Sequence, residues 1–366
     1  MSKKYQGKFS SSAQPEKPEN HQHMPQQNKK KKSKLRVWQW ILLSVLLVLL
    51  ALIVAIVIFV FTKLNKINRV DPNESRLTPE QAAMLTEDDT VTGSPDAPEV
   101  NPDDVTWATN DGTVIGTEDS IVNILLIGQD RRPGEARARS DSMILVSFNK
   151  DTNKITLASF LRDNYVQIPG GYQDNRLNTA YAIGGMSLLD ETLEVNFGVS
   201  IDANVEVDFS GFSEIIDILG GVDIELTSAE ASHLNSNNGW SLSAGVNHLD
   251  GEQALAYARI RKLDSDFGRT SRQRNVLTAL IDEFKNISLG EALELVDEIF
   301  PLLTTDMSNM DIIGYVTNLL PMLSSAEIDN VHIPGDGNYY NATIRGMSVL
   351  VPDLEACRQQ LADALQ

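Results

Sequence analysis

The sequence predicts an α/β domain, with helices on both faces of a mixed sheet, behind one transmembrane helix. Three observations predict it. Residues 37–62 run for 26 residues without a charge, directly after a basic head. Beyond residue 119, short apolar runs of strand length alternate with longer stretches of helical pattern. Glycines and polar turns fall between the two kinds of segment, as interleaved strands and helices require.

The uncharged stretch, VWQWILLSVLLVLLALIVAIVIFVFT, exceeds the roughly 20 residues that cross a hydrocarbon core. Trp38 and Trp40 open it at headgroup level, and Lys29 to Arg36 flank it on the side that stays in the cytoplasm. It is too long, and lacks the small-residue cleavage site, for a signal peptide. Four regions follow: a basic disordered cytoplasmic tail (1–36), the transmembrane helix (37–62), an acidic extracellular linker with five prolines (63–119) and the folded domain (120–366).

Within the domain, IVNILLI (121–127), ended by Gly128, suits a buried strand. MILVSF (143–148) and ITLASF (155–160), joined by NKDTNK, form a hairpin. Residues 178–197 are helical with a break at Gly184-Gly185. A strand at 205–209 leads into a helix at 211–219, which Gly220-Gly221 stops before a strand at 222–226. Helix begins again at 251. The remainder is helical at 269–287, 290–304, 309–322 and 353–365, with one strand at 331–334. Cys357 is the sole cysteine, so no disulfide forms within the chain, and it is expected as an inert, partly buried thiol.

Charge is unevenly spread. Residues 1–36 carry ten Lys/Arg against Glu16 and Glu19, a net of +8, while the whole chain is −19, which leaves −27 for the rest. Yet arginines gather at element ends in that acidic body: Arg131, Arg132, Arg137 and Arg139 between the first two strands, then Arg162, Arg176, Arg259, Arg261, Arg269 and Arg272. A guanidinium fork matches phosphate oxygens. A local cationic cluster in an acidic body points to a small anionic ligand, and the body would repel nucleic acid. Arg259 and Arg261, two apart, share a side if extended; Arg269, Arg272 and Gln273 share a helix face. Asp130 and Asp141, at the end of one strand and the start of the next, can share a hard cation such as Mg²⁺, and Mn²⁺ suits the same oxygens. The outer-domain histidines lack zinc spacing, and no nucleophile elbow, Walker sequence or dinucleotide fingerprint is present.

Seven stretches in order closely resemble the LytR-CpsA-Psr family of cell-wall enzymes: NILLIGQDRR (123–132), RSDSMILVSFN (139–149), LASFLRDNYVQIPG (157–170), RLNTAYAIGG (176–185), VEVDFSGFSEIIDILGGVDIEL (205–226), HLDGEQALAYARIRK (248–262) and DFGRTSRQR (266–274). The resemblance implies a three-layer α/β/α domain enclosing a hydrophobic prenyl tunnel. It implies a phosphotransferase that moves a glycopolymer, teichoic acid or capsular polysaccharide, from undecaprenyl pyrophosphate to peptidoglycan. By position, Asp130 and Asp141 match the Mg²⁺-associated aspartates, and Arg139, Arg162, Arg259, Arg261, Arg269 and Gln273 the pyrophosphate-binding residues. Arg176 stands where many members have Lys, and FLRD (160–163) replaces the commoner IPRD.

Arg162, Asp163, Arg259 and Arg261 are the expected catalytic group, with Asp163 or a metal aspartate as base. Two alternatives remain: a lipid-pyrophosphate hydrolase with the same site, and a non-catalytic polysaccharide-binding or regulatory protein. Arg162→Ala and Arg261→Ala are each expected to abolish transfer and leave the fold intact; near-normal turnover in either would overturn the site.

Overall fold

A computed structural model describes residues 37–70, 75–85, 97–107, 113–131, 137–286 and 289–366. The basic tail 1–36, Gly112 and the Arg132, Pro133 and Gly134 positions lie outside the described residues. The chain divides into two units, 1–56 and 57–366. The apolar helix α1 (Val37–Leu64) begins in the first, and its Ser44–Leu64 portion is long and apolar enough to cross a membrane.

The second unit is built on a seven-stranded sheet. Its strands are β1 (Asn68–Arg69), β2 (Ile121–Gln129), β3 (Ser140–Asn149), β4 (Lys154–Phe160), β5 (Ala203–Asp208), β6 (Leu303–Thr305) and β7 (Glu327–Ile333), in the spatial order β1-β6-β5-β2-β3-β4-β7. The sheet is mixed, as expected: β2 pairs parallel with β5 and antiparallel with β3, and β4 pairs antiparallel with β3 and parallel with β7.

The central strands are apolar on both sides because both faces are covered. Leu125 and Ile127 face α2 (Leu177–Phe197) and the carboxy-terminal helix (Leu354–Leu365), in a core with Phe160, Leu189 and Leu361. Ile124, Leu126 and Val146 face the opposite layer, where Leu277, Ile281, Leu319 and Met322 pack. The result is three layers, α/β/α. Gly185 has φ 65° and ψ −154° and kinks α2 where the glycine pair predicted a break. Only glycine takes that conformation without strain.

Three regions depart from expectation. The acidic connector joins the fold: β1 pairs with β6, Val100 and Val105 pack in an apolar cluster, and Trp107 stacks on Tyr165 at 5.8 Å. Apolar residues spaced between the acids and prolines supply enough burial to dock it. The polar run SAEASHLNSNN forms a helix (Ser228–Asn238), started by a Thr227–Glu230 capping box. Residues 303–304, expected as helix, belong to β6, and the single late strand is joined by a hairpin of Tyr339–Ile344 and Met347–Pro352. Cys357 is fully buried, and burial pushes its thiol up to about 12.

Asp190 of α2 and Asp306 both accept from the Asn204 amide of β5, at 2.8 and 2.7 Å. Burial pushes the Asp190 carboxyl up to about 7. A carboxyl whose pKa is raised on folding stabilises most below its unfolded value and loses that contribution as pH climbs to the folded one. Stability from this group therefore declines from near pH 4 to about 7 and then levels. Asp190→Asn should flatten that slope, so urea unfolding should show the variant gaining on the parent at pH 8 but not at pH 4.

Candidate active site

Strands β2, β4, β5 and β7 run one way and β3 the other, so four carboxyl ends and one amino end share an edge. Ligands of α/β sheets are held at such an edge. Asp130 follows β2, Asp141 is the second residue of β3, Arg162 and Asp163 follow β4, and Asp208 ends β5. Two further helices aim into this edge: α5, which we count after α3 (Phe209–Ile218) and α4 (Ser228–Asn238), spans Gly251–Ala258, and α6 spans Asp266–Asn286.

The charges interlock. Arg162 Nη1 donates to Asp141 Oδ1 at 2.5 Å, and its Nε lies 3.7 Å from Asp163. Arg261 approaches the other Asp141 oxygen at 3.5 Å. Arg176, which caps the start of α2, donates to the Ser348 carbonyl at 3.1 Å and lies 3.6 Å from Asp163. Arg259 pairs with Asp130 at 3.5 Å and stacks over Phe209 at 4.5 Å. Arg269 is fully buried against Asp266 at 2.9 Å. Burial alone would raise the Asp141 carboxyl, but Arg162, Arg269 and Arg261 hold it below the ordinary range. Burial likewise works against the charge on Arg162, and Asp163, Asp141 and Asp266 more than restore it. Arg269 is pulled down by burial and by Arg162 and Arg261, against the support of Asp266. Nε and Nη1 of Arg269 are buried with no acceptor among the described residues.

Beside the charges opens an apolar cavity of about 200 Å³ between the sheet and helices α3, α5 and α6. Leu126, Ile144, Val207, Phe212, Leu255 and Leu277 are among its walls. Its polar members, Ser142, Gln273 and Arg259, belong to the charged edge or touch it, and Ser142 Oγ donates to Gln273 Oε1 at 3.1 Å.

Of the expected site residues, Asp141, Arg162, Asp163, Arg176, Arg261 and Arg269 form one connected set of ion pairs or adjoining charges, and Asp130 and Arg259 form a separate pair. Arg139 is half-buried immediately before β3, and Gln273 reaches β3 through Ser142. Arg259 closes α5 in a turn rather than an extended segment, yet it and Arg261 both reach aspartates. Arg272 does not join them. Neighbouring helix residues diverge by about 100°, so Arg272 turns away from Gln273 toward Glu230 and Asp264, at 2.6 and 2.5 Å. Arg162 is 3% exposed between two aspartates, so Arg162→Ala is expected to cost stability as well as transfer. Asp266 was missed by sequence reasoning: an acid in the first turn of a helix reads as a favourable dipole partner, and only its burial marks it as the counter-ion of Arg269.

No group of three or more histidine, cysteine or acidic residues able to hold a metal occurs among the described residues. Asp130 and Asp141 lie at the same sheet edge, each paired with arginine: Asp130 with Arg259, and Asp141 with Arg162 and Arg261.

Removing one partner of a buried pair strands the other. Arg269→Met should cost roughly 3–5 kcal/mol in urea unfolding by leaving Asp266 unpaired, whereas Arg269→Met with Asp266→Leu should recover much of the loss. Equal stability of single variant and parent would contradict the pairing.

The LytR_cpsA_psr family profile matches residues 82–363. The polyisoprenyl-teichoic acid–peptidoglycan teichoic acid transferase TagU of Bacillus mycoides (strain KBAB4) is 35% identical over 224 residues, 59% of this chain and 70% of that protein. The transferase of the same name from Oceanobacillus iheyensis is 37% identical over 233 residues, 61% and 70% of the two chains. Among solved structures, TagT bound to LIIa-WTA superposes with a TM-score of 0.57 at 28% identity, covering 71% of this chain and 98% of its own. The LytR-CPS2A-psr family protein YwtF (TagT) with bound octaprenyl pyrophosphate lipid gives a TM-score of 0.53 at 25% identity, covering 71% and 99%. By profile, sequence and fold alike, the chain belongs to the LytR_cpsA_psr family.

Proposed function

We propose that this chain is a phosphotransferase that moves a glycopolymer, of the teichoic acid or capsular polysaccharide class, from undecaprenyl pyrophosphate to peptidoglycan. One observation carries the reading: the apolar cavity and the arginine cluster meet at Arg259. A ligand that fits both is an amphiphile with a long hydrocarbon and a compact, strongly anionic head. Prenyl pyrophosphate has that form. The relatives named as teichoic acid transferases support it, as does the TagT structure that holds octaprenyl pyrophosphate.

Phosphoryl transfer is chiefly a matter of positioning and charge stabilisation. A hydroxyl of the peptidoglycan glycan attacks the phosphorus that bears the saccharide. The bond to the bridging oxygen breaks, prenyl phosphate leaves, and a proton is released. Arg259, Arg261 and Arg139 line the approach and neutralise the phosphate oxygens. Arg162, Arg176 and Arg269 sit deeper and stabilise the charge that develops on the leaving group. Asp163, buried between Arg162 and Arg176, holds those two guanidinium groups in place. Asp130 and Asp141 are the residues that would hold Mg²⁺, or Mn²⁺, and such an ion would supply Lewis-acid charge stabilisation there. Gln273 orients a phosphate oxygen at the cavity mouth.

The basic tail and the apolar helix support a single-pass protein with its amino terminus in the cytoplasm and its domain outside. The domain then meets lipid-linked donor and wall acceptor on the same side of the membrane.

The test is product analysis. The protein, a prenyl-pyrophosphate saccharide, Mg²⁺ and peptidoglycan oligomers should yield a saccharide joined to the glycan through one phosphate, with prenyl phosphate released. Saccharide phosphate ending on water would assign a hydrolase instead. Arg261→Ala, at a half-exposed position, should lower turnover about 100-fold or more with an unchanged melting temperature.

A further inference from the structure

Along the charged edge the strands stand in the order β5-β2-β3-β4-β7, and the features of the site follow that order. The apolar cavity lies against β5, β2 and β3. Asp141 on β3 and Arg162 after β4 come next. Beyond them, at β7, is a surface of a third kind, made of aromatic rings. Helix α6 crosses from one to the other. Its Gln273 reaches β3 through Ser142, and Phe267, in its first turn, meets the ring of His332 on β7 edge-on at 5.1 Å. Tyr339, which opens the carboxy-terminal hairpin, tilts against the same Phe267 ring at 5.2 Å.

These rings are not sealed in a core. Phe267, His332 and Tyr339 are each half-buried, and Tyr340 beside them is 47% exposed. The Asp336 carboxylate, almost wholly open to solvent, lies 3.5 Å from the His332 ring. Ring faces with hydroxyl, imidazole and carboxylate groups at their margin suit a sugar. The C–H face of a pyranose packs on aromatic carbon, and its hydroxyls meet the polar margin. A hydrocarbon laid there would cover those polar groups without giving them partners.

Position selects which sugar. In phosphoryl transfer the attacking and leaving oxygens stand roughly in line across the phosphorus. The apolar cavity takes the prenyl chain, so prenyl phosphate departs toward β5 and β2. An attacking hydroxyl must then arrive from the other side of the arginines, which is the side of β7. Phe267 directly follows Asp266, the counter-ion of buried Arg269, so a chain lying on the rings ends beside the phosphate site.

We infer that the ring cluster of Phe267, His332 and Tyr339, with Tyr340 and Asp336 at its margin, is the subsite for the glycan acceptor. The inference rests on the transferase reading above and adds the direction from which the acceptor hydroxyl approaches.

The experiment uses the full-length protein in detergent with a prenyl-pyrophosphate saccharide and soluble peptidoglycan oligomers. Acceptor KM, kcat and donor affinity are measured separately. Tyr339→Leu and Phe267→Leu, which keep apolar bulk and remove a ring, should each raise the acceptor KM about three- to tenfold, the worth of one ring contact. Donor affinity and kcat should stay at the parent values. Tyr339→Phe, which keeps the ring, should hold the acceptor KM near that of the parent. Tyr340→Ala, at an exposed position where folding is not at stake, should raise it about threefold. If both leucine variants melt early, Tyr340→Ala decides. An acceptor KM unchanged by loss of the rings overturns the assignment. So does weakened donor affinity with the acceptor KM intact, which gives the rings to the donor. A parent protein that delivers saccharide phosphate to water and never to a glycan would instead sink the transferase reading.

Discussion

Arg162 is 3% exposed, and its charge persists there because Asp141 and Asp163 flank it. Desolvating an isolated guanidinium costs several kcal/mol, so the arginine is tolerable only with carboxylates in contact. Those carboxylates must themselves be anchored. Asp141 is fixed by the β3 backbone, and the backbone carbonyl of Asp163 accepts from Leu350 at 3.0 Å. The same two aspartates gather Arg261 and Arg176, and through this sharing five arginines stand against four aspartates at one strand edge. Among these described residues the arginines outnumber the aspartates by one. A multiply charged anion is the complement such a site lacks, and the geometry is prepared before the ligand arrives.

The fold was legible wherever burial follows a simple period. Apart from Asn123, IVNILLI is apolar on both faces, and a strand covered on both sides is the physical solution. The Gly184-Gly185 pair announced the kink in α2. The carboxy-terminal hairpin was not legible, for a specific reason. Its two-residue turn is Arg345-Gly346, both with positive φ, where Asn-Gly or Asp-Gly is the usual signal. Arg345 offsets its left-handed backbone by donating to the Tyr165 hydroxyl at 2.7 Å and to Gln173 at 3.1 Å. Long-range partners of that kind leave no trace in local sequence.

At the site, residue types and order were readable, but the division of labour was not. Arg261 and Arg269 look alike in sequence. One is half-exposed beside Asp141 and the other is sealed against Asp266. Burial thus separates two arginines that local sequence does not distinguish. Arg272 carries the lesson further, since a single step along α6 sends it to Glu230 and Asp264 and makes it a tie between α4 and α6.

The hairpin of β2 and β3 holds register from Ile121 opposite Asn149 to Gly128 opposite Ser142. Asp141 is the extra residue of a β-bulge, between Ser140 opposite Gln129 and Ser142 opposite Gly128, and Asp130 follows the last paired residue of β2. The bulge thus interrupts the alternation of β3 at the point where its carboxylate meets buried Arg162, so a local irregularity of the ladder aims the acid that the charged edge is built around.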